Sequence, residues 1–194
     1  MLYIKFNIQD RSKYHDFERL YEHMVEVRQP GFKFEEEEEG PEFDWDDMTQ
    51  AEVDDAVKEL SAFLDQSPEE RRYLTLIPDY VNEFLEGYLE KDNERLGTLG
   101  IQEVLSIFNY LEFDFEVDME RLENVNEQSR IVEFSTGNYP FGGLERFLIT
   151  LKAYGLTSTE YFDGFNICAI EWSSNFEYHT TELPETTKAY LNRE

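Results

Sequence analysis

Between Glu35 and Asp55 the chain carries twelve carboxylates and no basic residue. Ionised side chains leave water at a large cost unless they find partners. Any fold this chain adopts must therefore keep that stretch outside its core. The core has to come from elsewhere, and the material is present. Sixteen Phe, twelve Tyr and two Trp are far more aromatic residues than a disordered acidic tail would contain. A chain of 194 residues buries roughly 70% of the surface it exposes when unfolded.

The acidity is unevenly placed. The formal net charge is −27, well outside the modest values common for a small soluble domain. Residues 1–30 are balanced, with five basic and five acidic groups, whereas residues 31–70 have two basic and sixteen acidic groups. Residues 71–128 contribute −9 and residues 129–194 only −4. Adaptation to salt would acidify every exposed face, including the N-terminal helix, and that helix is balanced. Clustered like charge costs stability through self-repulsion, so a cluster retained in one region suggests a use. The charge disfavours direct binding to nucleic acid or to anionic lipid and favours a basic partner.

Hydrophobic periodicity sets the expected elements. Leu2, Ile4, Phe6 and Ile8 alternate as one face of a strand over residues 1–8. Asp10 or Ser12 is placed to cap a helix running to about Val27, with Phe17, Leu20, Tyr21 and Met24 on one face. Pro30 and Gly31 end it. Residues 31–47 read as an irregular loop in which Phe32, Phe34, Phe43 and Trp45 interleave with acids. Thr49 or Asp47 caps a helix over about 49–65 with Val53, Ala56, Val57, Leu60, Phe63 and Leu64 as its apolar stripe. Ser67, Pro68 and Glu70 form another helix start, broken near Pro78. Further helices are expected over about 79–91 and about 100–110.

From 111 the period changes to two. Leu111, Phe113, Phe115 and Val117 alternate with Glu112, Asp114, Glu116 and Asp118, which predicts a strand over 111–118. A second strand follows over 130–136, then a loop from Gly137 to Gly143 and a helix ended by Gly155. Strands at 165–172 and 176–181 form a hairpin, and Pro184 starts a short C-terminal helix. With residues 31–110 set aside the order reads βαββαβ plus one extra strand. The expected class is therefore α+β, with a ferredoxin-like (βαββαβ) sheet, an acidic, mostly helical insertion over 31–110 and an extra C-terminal hairpin strand, all in one domain spanning 1–194.

Two acidic features carry the functional expectation. One is the loop with Glu35, Glu36, Glu37, Glu38, Glu39, Glu42, Asp44, Asp46 and Asp47, in which Trp45 offers an aromatic anchor. The other is the expected strand bearing Glu112, Asp114, Glu116 and Asp118. Alternate strand residues lie about 6.6 Å apart on one face, close to the roughly 6–7 Å between successive phosphates of one nucleic-acid strand. Such a ladder would imitate a phosphate backbone. The plainer readings are a solvated strand face, a solubilising loop, and rings that pin the loop to its own core.

Other chemistry finds little support. Only His15, His23 and His179 are present and no zinc-binding spacing occurs. Cys168 is the single cysteine, which rules out an internal disulfide and fits a reducing compartment. With Trp172 opposite Phe176, Cys168 and His179 point to opposite sides of the hairpin, so no Cys–His nucleophile is expected. Asp44 and Asp46 lack the glycine and later glutamate of a calcium loop. The Gly137–Gly143 loop matches neither phosphate-binding fingerprint, though its backbone N–H groups, with Arg130, Arg146 and Lys152 near in sequence, suit a small anionic ligand.

The N-terminus lacks the pattern of a secretory leader, and no apolar run approaches the roughly 20 residues of a membrane span. The expectation is a cytoplasmic, non-enzymatic interaction protein without cofactor or metal. Its partner would be a basic, nucleic-acid-binding protein such as a nuclease or a nucleic-acid-guided effector. The alternatives are a small-ligand binder or enzyme using the sheet and the Gly137–Gly143 loop, and a subunit whose aromatics mark a permanent interface.

Overall fold

The computed structural model describes residues 1–35, 40–64, 66–91, 103–114, 117–135 and 143–192. The side chains of Asp47 and Asp114 lie outside that description. The chain is α+β. Among the described residues it has seven α-helices and one six-stranded antiparallel sheet. It divides into two compact units, one formed by Met1–Phe32 with Asp79–Glu194 and the other by Lys33–Pro78.

In the larger unit, strand β1 (Leu2–Ile8) leads into helix α1 (Arg11–Val27), whose N-cap Asp10 accepts from the Ser12 backbone N–H. Gly31 follows with φ +85°, a conformation that suits glycine. The chain returns through α4 (Asp79–Lys91) and α5 (Val104–Asn109). It then forms strands β2 (Asp118–Asn124) and β3 (Ser129–Ser135) and helix α6 (Leu144–Ala153). Strands β4 (Leu156–Phe162), β5 (Ile167–Trp172) and β6 (Tyr178–Glu182) and helix α7 (Pro184–Leu191) complete it. The sheet order is β2-β3-β1-β4-β5-β6.

Alternation along β1 sends Ile4 and Phe6 into a core with Phe17, Leu20 and Met24 of α1 and Phe147, Leu148 and Leu151 of α6, all essentially buried. Ring edges meet ring faces there: Phe6–Phe17 at 5.9 Å, Phe17–Tyr154 at 5.8 Å and Phe134–Phe147 at 5.8 Å. This is the preferred geometry for aromatic pairs. Tyr3, one residue out of phase with Ile4, faces the other side. It forms a smaller cluster with Phe162 and Ile167, closed by Ile131, Leu183 and Tyr190. Helix α7 is fastened there by the Ile167 backbone N–H, which donates to Thr187 Oγ1 at 2.9 Å.

Two sequence expectations fail in this unit. No strand runs over 111–118 among the described residues. Helix α5 continues instead into a π-helical turn over Tyr110–Asp114, and β2 begins only at Asp118. Leu111 and Glu112, adjacent in sequence, are both buried, while Phe113 is exposed, so the burial does not follow the period-two pattern. Arg28, just past α1, supplies the reason. Its guanidinium donates to the carbonyls of Leu111 (2.9 Å), Glu112 (3.3 Å) and Val117 (2.8 Å). It satisfies carbonyls that a helix end leaves without partners.

The second failure is β4, for which the sequence pattern predicts no strand. It is a central strand beside β1, but its ladder shifts register where Lys5 pairs with Glu160 and Phe6 with Ser158. The bulge breaks the alternation that would have revealed it. The C-terminal hairpin does form, two residues out from the expected register. Trp172 pairs with Tyr178 and Glu171 with His179. A shift of two preserves parity, so Cys168 and His179 still face opposite sides.

The smaller unit contains a 3-10 turn over Trp45–Asp47, helix α2 (Gln50–Leu64) and helix α3 (Pro68–Leu76). Thr49 and Glu52 start α2 reciprocally. The Thr49 N–H and hydroxyl donate to Glu52 Oε2 at 2.8 and 2.7 Å, and the Glu52 N–H returns to Thr49 Oγ1 at 3.5 Å. Ser67 caps α3 by accepting from the Glu70 N–H at 3.1 Å, with Pro68 in the first turn.

Candidate interaction surface

The described acidic loop side chains lie in the smaller unit and point to water. Glu35, Glu42, Asp44 and Asp46 are exposed, and Trp45 keeps 45% of its surface accessible. Phe43 meets Trp45 with ring centroids 5.3 Å apart and planes tilted by 59°. Glu36, Glu37, Glu38 and Glu39 lie outside the described residues, as does the Asp47 side chain. Helix α2 adds the exposed Glu52, Asp54, Asp55 and Glu59.

Positive charge in this unit is scarce and largely occupied. Residues 33–78 contain four basic and sixteen acidic groups. Arg71 pairs with Glu35 at 3.0 Å and Lys58 with Asp55 at 2.9 Å. Arg72 lies over the Phe34 ring, 4.6 Å from its centroid. Among the described residues, Glu42, Asp44, Asp46 and Glu59 meet no cation. The larger unit uses cations in the same way. Lys13 lies over Tyr80, Arg146 over Tyr110 and Lys152 over Trp172. Each such contact contributes about 0.5–1 kcal/mol at an exposed site.

The second acidic feature is not brought together with the first. Glu112, 1% exposed, accepts or shares a hydrogen with His23 Nε2 at 2.6 Å from its Oε1. His23 in turn stacks on Phe108, with ring planes 10° apart. Glu112 is thus part of the interior of the larger unit. Asp118 is exposed at the start of β2, the Asp114 side chain lies outside the described residues, and so does Glu116. The spacing argument for a phosphate-like ladder on this strand loses its basis. A helical signal for Glu112 was present: Val104, Ile107, Phe108 and Leu111 recur at helical spacing, and Glu112 follows Phe108 by four.

The Gly137–Gly143 loop lies outside the described residues except for Gly143, the N-cap residue of α6. Among the described residues no group of three or more His, Cys, Asp or Glu is placed to hold a metal ion. No described helix is long and apolar enough to cross a membrane. Comparison with protein-family models, with curated proteins and with solved structures gives no match.

Sequence reasoning missed one surface property. Of the apolar stripe of α2, only Ala56 is buried. Val57 is 49% and Leu64 54% exposed.

Proposed function

We propose that this chain is an acidic interaction protein that binds a basic protein partner, a nucleic-acid-binding protein being the kind whose surface fits best. The observation that carries the reading is the set of exposed carboxylates Glu42, Asp44, Asp46 and Glu59, which meet no cation among the described residues, together with an exposed Trp45. Complementary charge speeds encounter and selects among partners, and an exposed aromatic ring supplies a desolvated anchor. Imitation of nucleic acid in this reading belongs to this unit rather than to the sheet. The proposal extends to a cytoplasmic setting, which the lone buried Cys168 suits. For the sheet we infer a split βαβ arrangement of β1 to β4. It is supported by the order β2-β3-β1-β4 with α1 and α6 between the strands, and β5 and β6 extend it.

The test is capture of the partner from the native host, followed by binding of the purified pair. Affinity is expected to fall at least about tenfold between roughly 50 mM and roughly 300 mM salt. It is expected to weaken further in the triple variant Glu42→Gln, Asp44→Asn, Asp46→Asn. A salt-insensitive complex, or one indifferent to those neutralisations, overturns the reading.

A further inference from the structure

We propose that the outer edge of α2 is a docking ridge for an amphipathic basic helix of the partner. The inference rests on the reading above and names the form the partner presents. Six apolar residues of α2 span its stripe, and they divide by exposure. Ala56 is buried and Val53, Leu60 and Phe63 are half-buried, whereas Val57 and Leu64 are about half exposed. At 100° per residue the pair Val57 and Leu64 differ by only about 20° and lie about 10.5 Å apart along the axis. They form the edge of the stripe that the described residues leave about half exposed.

A row two turns long on a helix is the shape that another helix packs against, ridge into groove, with anchors at i, i+3 or i+4, and i+7. The charge beside the row selects the occupant. Asp54 lies one turn before Val57 and is exposed, accepting from the Gln50 side-chain amide at 2.9 Å. The only cation of α2, Lys58, is occupied by Asp55. A second copy of the chain would bring one unit of four basic and sixteen acidic groups against another, and an anionic membrane would be repelled likewise. A helix with an apolar face and lysines or arginines along its flanks meets neither objection. Its anchors cover Val57 and Leu64, and its cations meet Asp54 and the surrounding field.

The full chain is titrated with an amphipathic Leu/Lys peptide of about 18 residues, a length that gives about five helical turns, and with a scrambled peptide of the same composition. The amphipathic peptide is expected to bind about tenfold tighter, and the advantage is expected to disappear in the variant Val57→Gln, Leu64→Gln. Glutamine favours helix, and both positions are exposed, so α2 should persist; far-UV circular dichroism verifies this. Equal, salt-dependent binding of the two peptides sinks the docking ridge and leaves the acidic interaction reading standing. Failure of both peptides to bind sinks both readings. An advantage that survives in the double variant places the site elsewhere and overturns the proposal. Dimerisation of the wild-type chain in light scattering, abolished by the double variant, gives the ridge to a second copy and also overturns it.

Discussion

The two units spend their side chains differently. In the larger one, aromatic rings and aliphatic side chains fill the space between sheet and helices, and several carboxylates are held by named partners. Glu112 meets His23, Glu133 is gripped by the Arg121 guanidinium, Glu160 accepts from Tyr3, and Asp16 accepts from Tyr80. In the smaller one only Ala56 and Ile77 are buried among the described hydrophobic residues, and most described carboxylates face water. A segment with so small a core draws little stability from burial, so its helices depend on caps and local bonds. The contrast separates a unit built to stay folded from one whose surface remains unspent.

The largest expected effect tests the core side of that contrast. Phe17 is fully buried and touches the rings of Phe6, Tyr21 and Tyr154. Phe17→Ala should cost about 3–5 kcal/mol of unfolding free energy, the range for a buried aromatic truncated in a packed core. Hydrogen exchange should show lost protection throughout β1, β3 and α1. Amides of α2 should exchange faster than these in the wild type and change little in the variant, because they open locally. Loss of protection in both units together would erase the distinction.

A smaller effect compares two glutamates of the same chemistry. Removing one partner of a buried hydrogen-bonded pair leaves the other stranded, which costs about 3 kcal/mol or more. Glu112→Ala is expected to fall near that value because the Glu112 side chain is fully buried and the largely covered His23 loses the carboxylate that faces it. Glu42→Ala, in the solvated loop, should stay within about 0.5 kcal/mol. Glu112→Gln, which retains a hydrogen-bonding oxygen, should lie between them. Urea denaturation of the three variants decides it, and a mild Glu112→Ala would mean that the pair contributes little.

These two glutamates also show what could be read in advance. The fate of Glu42 followed from local composition, since a run of acids beside Gly40 and Pro41 has no way to be buried. Helix starts at Asp10 and Ser67 were legible for the same reason, because a cap involves only neighbouring residues. Glu112 was not legible as buried. Its environment is set by Arg28 and His23, more than eighty residues away, and the first part of the alternating stretch, up to Asp114, lies in a helical turn. Strand β4 was hidden by a single bulge, because a period is visible only while it is unbroken. As for the surface, its charge could be counted from the sequence, but the half-exposed edge of α2 could not. An apolar stripe states which residues can be covered, and only the packing shows which of them are.

The smallest effect belongs to the start of α2. Glu52 accepts from both the hydroxyl and the N–H of Thr49, and these hydrogen bonds hold its carboxyl below the ordinary glutamate value of 4.5. A lowered folded value means the capping interaction is fully present above the unfolded value. It is lost as pH falls through the folded one. The first turn of α2 should therefore fray on acidification from about pH 6 to about pH 3, a range that spans the ordinary carboxylate values, visible in the carbon chemical shifts of Val53 to Ala56. Thr49→Ala removes the hydroxyl, and with it both the second donor to Glu52 and the acceptor of the Glu52 N–H, leaving only the backbone N–H, so the same turn should already be partly frayed at the higher pH and respond less. Protonation of the neighbouring solvated acids acts in the opposite sense by relieving repulsion along the helix. Glu52→Gln separates the two. It cannot lose a proton, so any pH response it retains comes from Asp54, Asp55 and Glu59. If Glu52→Gln and the wild type respond alike, the cap is irrelevant and the acidic field alone governs this helix.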